Sequence, residues 1–199
     1  FLIKKYNIKK KYFYLPNQFW IHKNHYLVLK SLKKAIKKDK SIIVLATGYA
    51  KDHRSIGYFS KINQYIDENN LKKNFQYLGL VPYKDVMSLM YHSVAVLNPS
   101  KFEGWSSSVE QAKSMGKKII LSNIKVHKEQ SPQRGIYFNP NNSNKLESLI
   151  LETWNNFNNK EENKFKKIAY RNLSKRLIKY ANDYQKIILE NNFKKNEIY

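Results

Sequence analysis

Six short apolar runs constrain the fold of this chain more than any other feature. They span 12–15, 42–46, 75–78, 94–97, 118–121 and 136–138. Within each run, apolar residues stand next to one another rather than alternating with polar ones. A turn-former closes most of them: Pro16, Gly48, Gly79, Pro99. Runs of this kind are strands buried on both faces. Between them the period changes. Ile56, Phe59, Ile62 and Ile66 recur at helical spacing, as do Leu29, Leu32 and Ile36. The pattern predicts helices over 24–38, 55–69, 85–92, 107–115, 145–156 and 163–190. Asn24 is expected to act as an N-cap and Gly116 as a C-cap. Strands alternating with helices give an α/β fold: a Rossmann-like parallel sheet of about six strands, helices on both faces, and a C-terminal helical extension. An asparagine-rich stretch at 155–159 reads as a linker, and the polar tail 191–199 is expected to fray.

A parallel sheet of this type binds ligands at the carboxyl ends of its strands, near the reversal of strand order. The loops of interest are therefore 16–24, 47–54, 79–84, 98–107 and 122–134. Composition narrows what they can do. With no cysteine, a disulfide framework, a thiolate zinc site and a cysteine nucleophile are all excluded. This fits a reducing, cytoplasmic setting. No apolar run is long enough to cross a membrane as a helix. The chain starts at Phe1 rather than Met, which reads as a fragment of something longer. A net charge of +22 favours anionic partners. The excess is 33 Lys against 4 Arg, beside 23 Asn, a composition that AT-rich coding also produces. Readers of nucleic-acid sequence rely on Arg forks, so no specific nucleic acid is expected.

The loop from Asn98 to Gln111 carries the richest chemistry. Glu103-Gly104 precedes Trp105, and serines 106–108 open a helix. A helix start presents unpaired amides and a partial positive charge, and Gly104 admits a ligand close to the backbone. Together they suit a phosphate, with Glu103 placed for sugar hydroxyls. Ser106 to Ser108 would also cap such a helix without any ligand. Lys23, on the loop after the first strand, could reach the same anion. His22 and His25 flank it, a spacing that serves helix capping more often than metal binding. His53, His92 and His127 receive no role. Trp20 and Trp105 sit on the two site loops, and Trp154 reads as core.

Four segments in order resemble the C-terminal, nucleotide-sugar-binding domain of retaining GT-B glycosyltransferases of family 4, the glycosyl transferases group 1. They are Leu15-Pro-Asn-Gln-Phe-Trp-Ile-His-Lys-Asn-His25, Tyr77-Leu-Gly-Leu-Val-Pro82, Asn98-Pro-Ser-Lys-Phe-Glu-Gly-Trp-Ser106, and Val109-Glu-Gln-Ala-Lys-Ser-Met-Gly-Lys-Lys118 running on to Asn123. The stretch Ile124-Lys-Val-His-Lys-Glu-Gln130 is similar to one in a subgroup acting on bacterial surface polysaccharides. The resemblance implies catalytic roles for Glu103, near the donor sugar, and Lys23, on the diphosphate. Gly104, Trp105, Ser106 and Ser107 would hold phosphate, while Gly79, Val81 and the rest of 79–83 would line the base. The family's ribose glutamate falls on Gln111, with Glu110 beside it. Its diphosphate arginine falls on Asn17 or Gln18, neither of them charged.

The implied reaction moves a sugar from a UDP- or GDP-linked donor to a surface-glycan acceptor such as lipopolysaccharide or capsule, with retention and with no metal or other cofactor. The implied organisation is a linker remnant over 1–11, a donor-binding domain over 12–160 and a C-terminal helix and tail over 161–199. A glycan or lipid-linked acceptor would be held by an N-terminal domain that this chain lacks, leaving it inactive alone. The last helix would then expose an apolar stripe of Leu177, Tyr180, Tyr184 and Ile188. The lysine excess adds peripheral contact with anionic lipid at the inner membrane face. The competing reading is a basic α/β module that binds nucleotide or nucleic acid without chemistry.

Overall fold

The computed structural model describes residues 2–8 and 11–196. Six parallel strands form one sheet: β1 (Phe13–Pro16), β2 (Val44–Thr47), β3 (Phe75–Tyr77), β4 (Val96–Asn98), β5 (Ile119–Ser122) and β6 (Gly135–Phe138). Their order is β3-β2-β1-β4-β5-β6, so the direction of winding reverses between β1 and β4. There Tyr14 pairs with Val96, and Phe13 to Pro16 run alongside Val44 to Thr47 on the other side.

The two-residue pleat sorts side chains between two cores. Phe13, Leu15, Val44, Ala46, Leu97 and Ile120 face one way and pack with Val28, Leu32, Ile62, Leu146, Ile150 and Trp154. Tyr12, Tyr14, Leu45, Val96, Ile119 and Leu121 face the other and meet Leu89, Met90, Val109 and Ala112. The first layer is built by α2 (His25–Lys38), α3 (Tyr58–Glu68) and α7 (Ser143–Asn155). The second is built by α1 (Leu2–Lys5), α4 (Tyr83–His92) and α5 (Ser107–Ser114). Both faces are covered, as continuous apolar strands require. Trp154 is core, as expected.

Three expectations change. The loop 122–134 contains a helix, α6 (Lys125–Gln130). The single long helix expected over 163–190 is two: α8 (Asn159–Arg171) and α9 (Leu173–Asn196). They are interrupted at Asn172, where Arg176 at the start of α9 donates to the carbonyls of Lys113, Ser114 and Ala169 at 3.3, 3.1 and 3.2 Å. Helix α9 also continues through Asn196, where a frayed tail was expected. Residues 1, 9 and 10 of the expected linker, and 197–199 of the tail, lie outside the described residues. The linker expected at 155–159 is a tight corner in which the Asn158 side chain caps α8.

Helix α8 is held to the sheet layer by a buried ion cluster. Lys117 Nζ donates to Glu162 Oε2 at 2.8 Å and to the Ser93 carbonyl at 2.6 Å, while Arg134 reaches Glu162 Oε1 at 2.6 Å. Gly116, at φ +65° past the end of α5, lies against α8: a Cβ there would sit 2.5 Å from the Phe165 carbonyl oxygen. The expected stripe on α9 is exposed at Leu177, Tyr180, Tyr184 and Ile188.

Candidate active site

Two loops flank the reversal between β1 and β4, and their backbones are stitched together. Lys101 N donates to the His22 carbonyl at 2.7 Å. Asn24 adopts a left-handed conformation at φ 60° and does not cap α2 as expected. Its amide instead donates to the Pro99 carbonyl at 3.0 Å and the Pro140 carbonyl at 2.9 Å, bracing the loops after β1, β4 and β6. The brace forces residues 21–23 into a single 3₁₀ turn that presents Lys23.

Lys23 Nζ lies 2.7 Å from both Oε1 and Oε2 of Glu103. Their side chains are only 13% and 6% exposed, so the pair is held largely out of water. A charge-assisted pair in such a setting is strong and directional. It is also exchangeable: an incoming phosphate can take the ammonium while hydroxyls donate to the carboxylate.

Asn98, at the end of β4, organises the start of α5. Its amide donates to Ser106 Oγ at 2.8 Å and Ser108 Oγ at 3.1 Å, and its carbonyl oxygen accepts from Ser100 Oγ at 2.8 Å. The Ser106 hydroxyl is thereby occupied and forms no cap bond. The cap expected here is not made by Ser106, and among the described residues no side chain accepts from the first amides of α5. An added Cβ at Gly104 would meet nothing within 4 Å, so the backbone is approachable there. Trp105 is 56% exposed beside it, and Ser107 is the first residue of the helix.

The remaining candidates divide. Gln111 Nε2 donates to the Tyr83 hydroxyl at 3.3 Å, beside the turn at Gly79 and Val81. Glu110 points elsewhere: its Oε1 accepts from Gln130 Nε2 at 2.9 Å and Lys113 Nζ at 3.1 Å. Gly79, at φ 79°, accepts from the Gly48 amide at 3.1 Å, which joins the loops after β2 and β3. Asn17 is buried, and its carbonyl presses on Gly48, where a Cβ would come within 2.4 Å of the oxygen. The Gln18 side chain accepts from the Tyr49 amide. The Gln18 side chain is thus spent on architecture, while the buried Asn17 side-chain amide nitrogen has no hydrogen-bond partner among the described residues.

The histidines separate in the same way. His25 is fully buried and stacked on Phe19 with ring centroids 4.1 Å apart, and burial lowers its pKa to about 3. It is core, so the His22–His25 metal reading has no support. His22 stays at the rim, 6.3 Å from the Phe102 ring, its pKa lowered by burial and then by Lys23. His127, given no role from the sequence, is buried beneath the site. Its Nδ1 donates to the Ser122 carbonyl at 2.9 Å, which fixes the tautomer and leaves Nε2 an acceptor. Neighbouring Gln130 donates to the Ser106 carbonyl at 2.9 Å, pinning the start of α5. The His-Lys-Glu-Gln run was visible in the sequence; its use as a foundation required α6. Among the described residues, no three His, Asp or Glu side chains converge as a metal-ligand set.

This geometry defines a class: a doubly wound α/β domain whose reversal point brings together a cation, a carboxylate and an uncapped helix start. Residues 2–172 match the family model for glycosyl transferases group 1, and the chain belongs to that family. Over 142 residues it is 24% identical to the O-antigen chain mannosyltransferase RfbU of Salmonella typhimurium strain LT2, an alignment covering 71% of this chain and 38% of that protein. Its fold is similar to a glycosyltransferase from Rickettsia africae ESF-5, with TM-score 0.75 and 19% identity over 94% of this chain and 50% of that one. It is also similar to Anabaena Alr3699/HepE, solved in complex with UDP, with TM-score 0.74 and 14% identity over 92% and 51% of the two chains. The chain therefore spans between 38% and 51% of the length of these relatives. The architecture is one half of a GT-B fold.

Proposed function

We propose that the chain is the donor-binding half of a glycosyltransferase that takes a sugar from a UDP- or GDP-linked donor and delivers it, with retention, to a surface-glycan acceptor. One observation carries this reading: the Lys23–Glu103 pair, at 2.7 Å, set beside the uncapped start of α5 at the β1/β4 reversal. The O-antigen role of the Salmonella relative supports the acceptor class, and the UDP bound to the Anabaena protein supports the donor class.

In this reading the bond between the anomeric carbon and the diphosphate oxygen breaks. Charge gathers on the leaving diphosphate, the acceptor oxygen bonds to the same carbon and its proton passes to the leaving diphosphate oxygen. Lys23 and the amides from Gly104 to Ser107 meet the growing charge in a partly dry corner, where fixed donors act most strongly. Glu103 accepts hydrogen bonds from the sugar and so orients it. Gln111 reaches the ribose and the 79–83 turn lines the base. A further polypeptide segment or partner supplies the acceptor site and closes the cleft. The +22 charge adds peripheral attraction to an anionic membrane at its cytoplasmic face. No helix among the described residues is long and apolar enough to cross a membrane.

The test is calorimetric titration of the chain with UDP, GDP, ADP and their sugar conjugates, with Lys23→Ala and Glu103→Ala in parallel. One nucleoside diphosphate should bind, and Lys23→Ala should weaken it roughly tenfold or more, the worth of a charge-assisted bond. A folded chain that binds none of them, yet binds polyanions in a salt-sensitive way, would make it a basic module instead.

A further inference from the structure

A diphosphate spreads its charge over several oxygens, and the site as described offers one lysine already paired with a carboxylate. Tertiary structure brings a second cation alongside. The loop after β2 is fastened to the Lys23 loop at two points: Phe19 N donates to the Tyr49 carbonyl at 3.0 Å, and the Tyr49 amide donates to the Gln18 side chain. Gly48 permits the close approach. Further along this loop, Arg54 Cζ lies 4.6 Å from the centre of the Trp20 ring, and Lys23 Nζ lies 6.0 Å from the same centre. Two cations from two loops thus share one indole. Asp52 aims the guanidinium, accepting from Nε at 2.9 Å and Nη2 at 3.4 Å, and is itself almost fully buried. An arginine carries five N–H donors in a rigid fork. Asp52 occupies one edge, and the Arg54 side chain remains 51% exposed for a second anion.

We propose that Arg54 is a diphosphate-binding residue of this site, positioned by Trp20 and Asp52. Gln18 is one of the two residues, with Asn17, where an arginine is expected from the family resemblance, and its side chain secures the loop that brings Arg54 in. This assignment rests on the donor-binding reading above and deepens it.

The experiment titrates the chain with UDP and UMP, and in parallel with GDP and GMP. The variants are Arg54→Ala, Arg54→Lys, Asp52→Asn and Lys23→Ala, each checked for folding by circular dichroism. Arg54→Ala should weaken the diphosphate roughly tenfold or more and the monophosphate by less than about twofold, because only the outer phosphate reaches the fork. Arg54→Lys should recover part of the loss, since it keeps the charge but not the fork. Asp52→Asn keeps one acceptor for Arg54 Nε, and so its aim, while removing the competing charge; diphosphate binding should then stay intact or tighten, as it would not if the ion pair served only to shape the loop. If Lys23→Ala loses the diphosphate while Arg54→Ala does not, the Arg54 assignment falls and the donor site stands. Equal losses for mono- and diphosphate would show Arg54 acting through loop shape and would also overturn it. A wild-type chain that takes up no nucleotide would remove both readings. Should Arg54→Ala not fold, Arg54→Lys against Arg54→Gln carries the comparison.

Discussion

At the residue scale, Lys23 and Glu103 depend on each other. Each shields a charge that is nearly out of water, so removing one strands the other. Lys23→Ala is expected to cost about 3 kcal/mol of stability, read from denaturant melts. Glu103→Gln keeps the shape and frees the ammonium. UDP should then bind several-fold tighter, while any preference for the sugar conjugate over UDP disappears; calorimetry reads both. His25 sets a pH limb. Its folded pKa, about 3, lies below its ordinary 6.5, so the unfolded chain takes up the proton first. Its contribution is complete above pH 6.5 and declines as pH falls toward 3. His25→Phe keeps a ring on Phe19 and should flatten that limb in melts between pH 7 and 5. Glu103 was legible in the sequence because turn, glycine and helix start surround it locally; Lys23, one lysine among 33, stood out only through the family resemblance. Arg54 and His127 were not, because their neighbours arrive from other strands. Asn24 has good capping chemistry, but two carbonyls from distant loops claim its amide.

At the element scale, the seat of α8 is the sensitive joint. Gly116 combines positive φ with a backbone contact that no Cβ can enter. Gly116→Ala should destabilise by about 2 kcal/mol or more and loosen α8, seen as faster amide exchange in 159–171. Burial alone would raise the Glu162 pKa, but hydrogen bonds from Arg134 and the charge of Lys117 outweigh it and hold it below 4.5. Its stabilisation is therefore present above pH 4.5 and is lost as pH falls through the lowered value. Glu162→Gln should remove this part of the acid transition in urea melts. The strands and most helices could be read from apolar runs and periodicity, since each is decided locally. The break at Asn172 could not: no Gly or Pro marks it, and the Arg176 contacts that accompany it reach carbonyls of α5 and α8. Helix α6 was hidden because six residues are too few to show a period.

At the scale of the whole molecule, α9 stands apart. Its apolar stripe has no cover among the described residues. The double change Leu177→Glu with Tyr184→Glu should shift the stability of the chain by less than about 0.5 kcal/mol, as at open surface sites; a loss above about 1 kcal/mol would mean the stripe packs on its own domain. The +22 charge predicts a second contrast. Binding to anionic vesicles should collapse as salt rises, while nucleotide binding in the half-dry corner should fade far less; sedimentation and calorimetry across the same salt series test this.

The wiring of α4 has a mechanical reading. Near its start, buried Asp85 accepts hydrogen bonds from Lys5 and from the Tyr6 hydroxyl, the latter at 2.6 Å. Near its end, the Tyr91 ring carries Lys166 of α8 at 3.9 Å. The incoming segment and the returning helix thus clamp one rod about 9 Å apart, and the turn 79–83 is attached to its near end. Both ends of α4 are therefore fixed to segments outside the helix, so the turn 79–83 leads into a rod that is anchored twice.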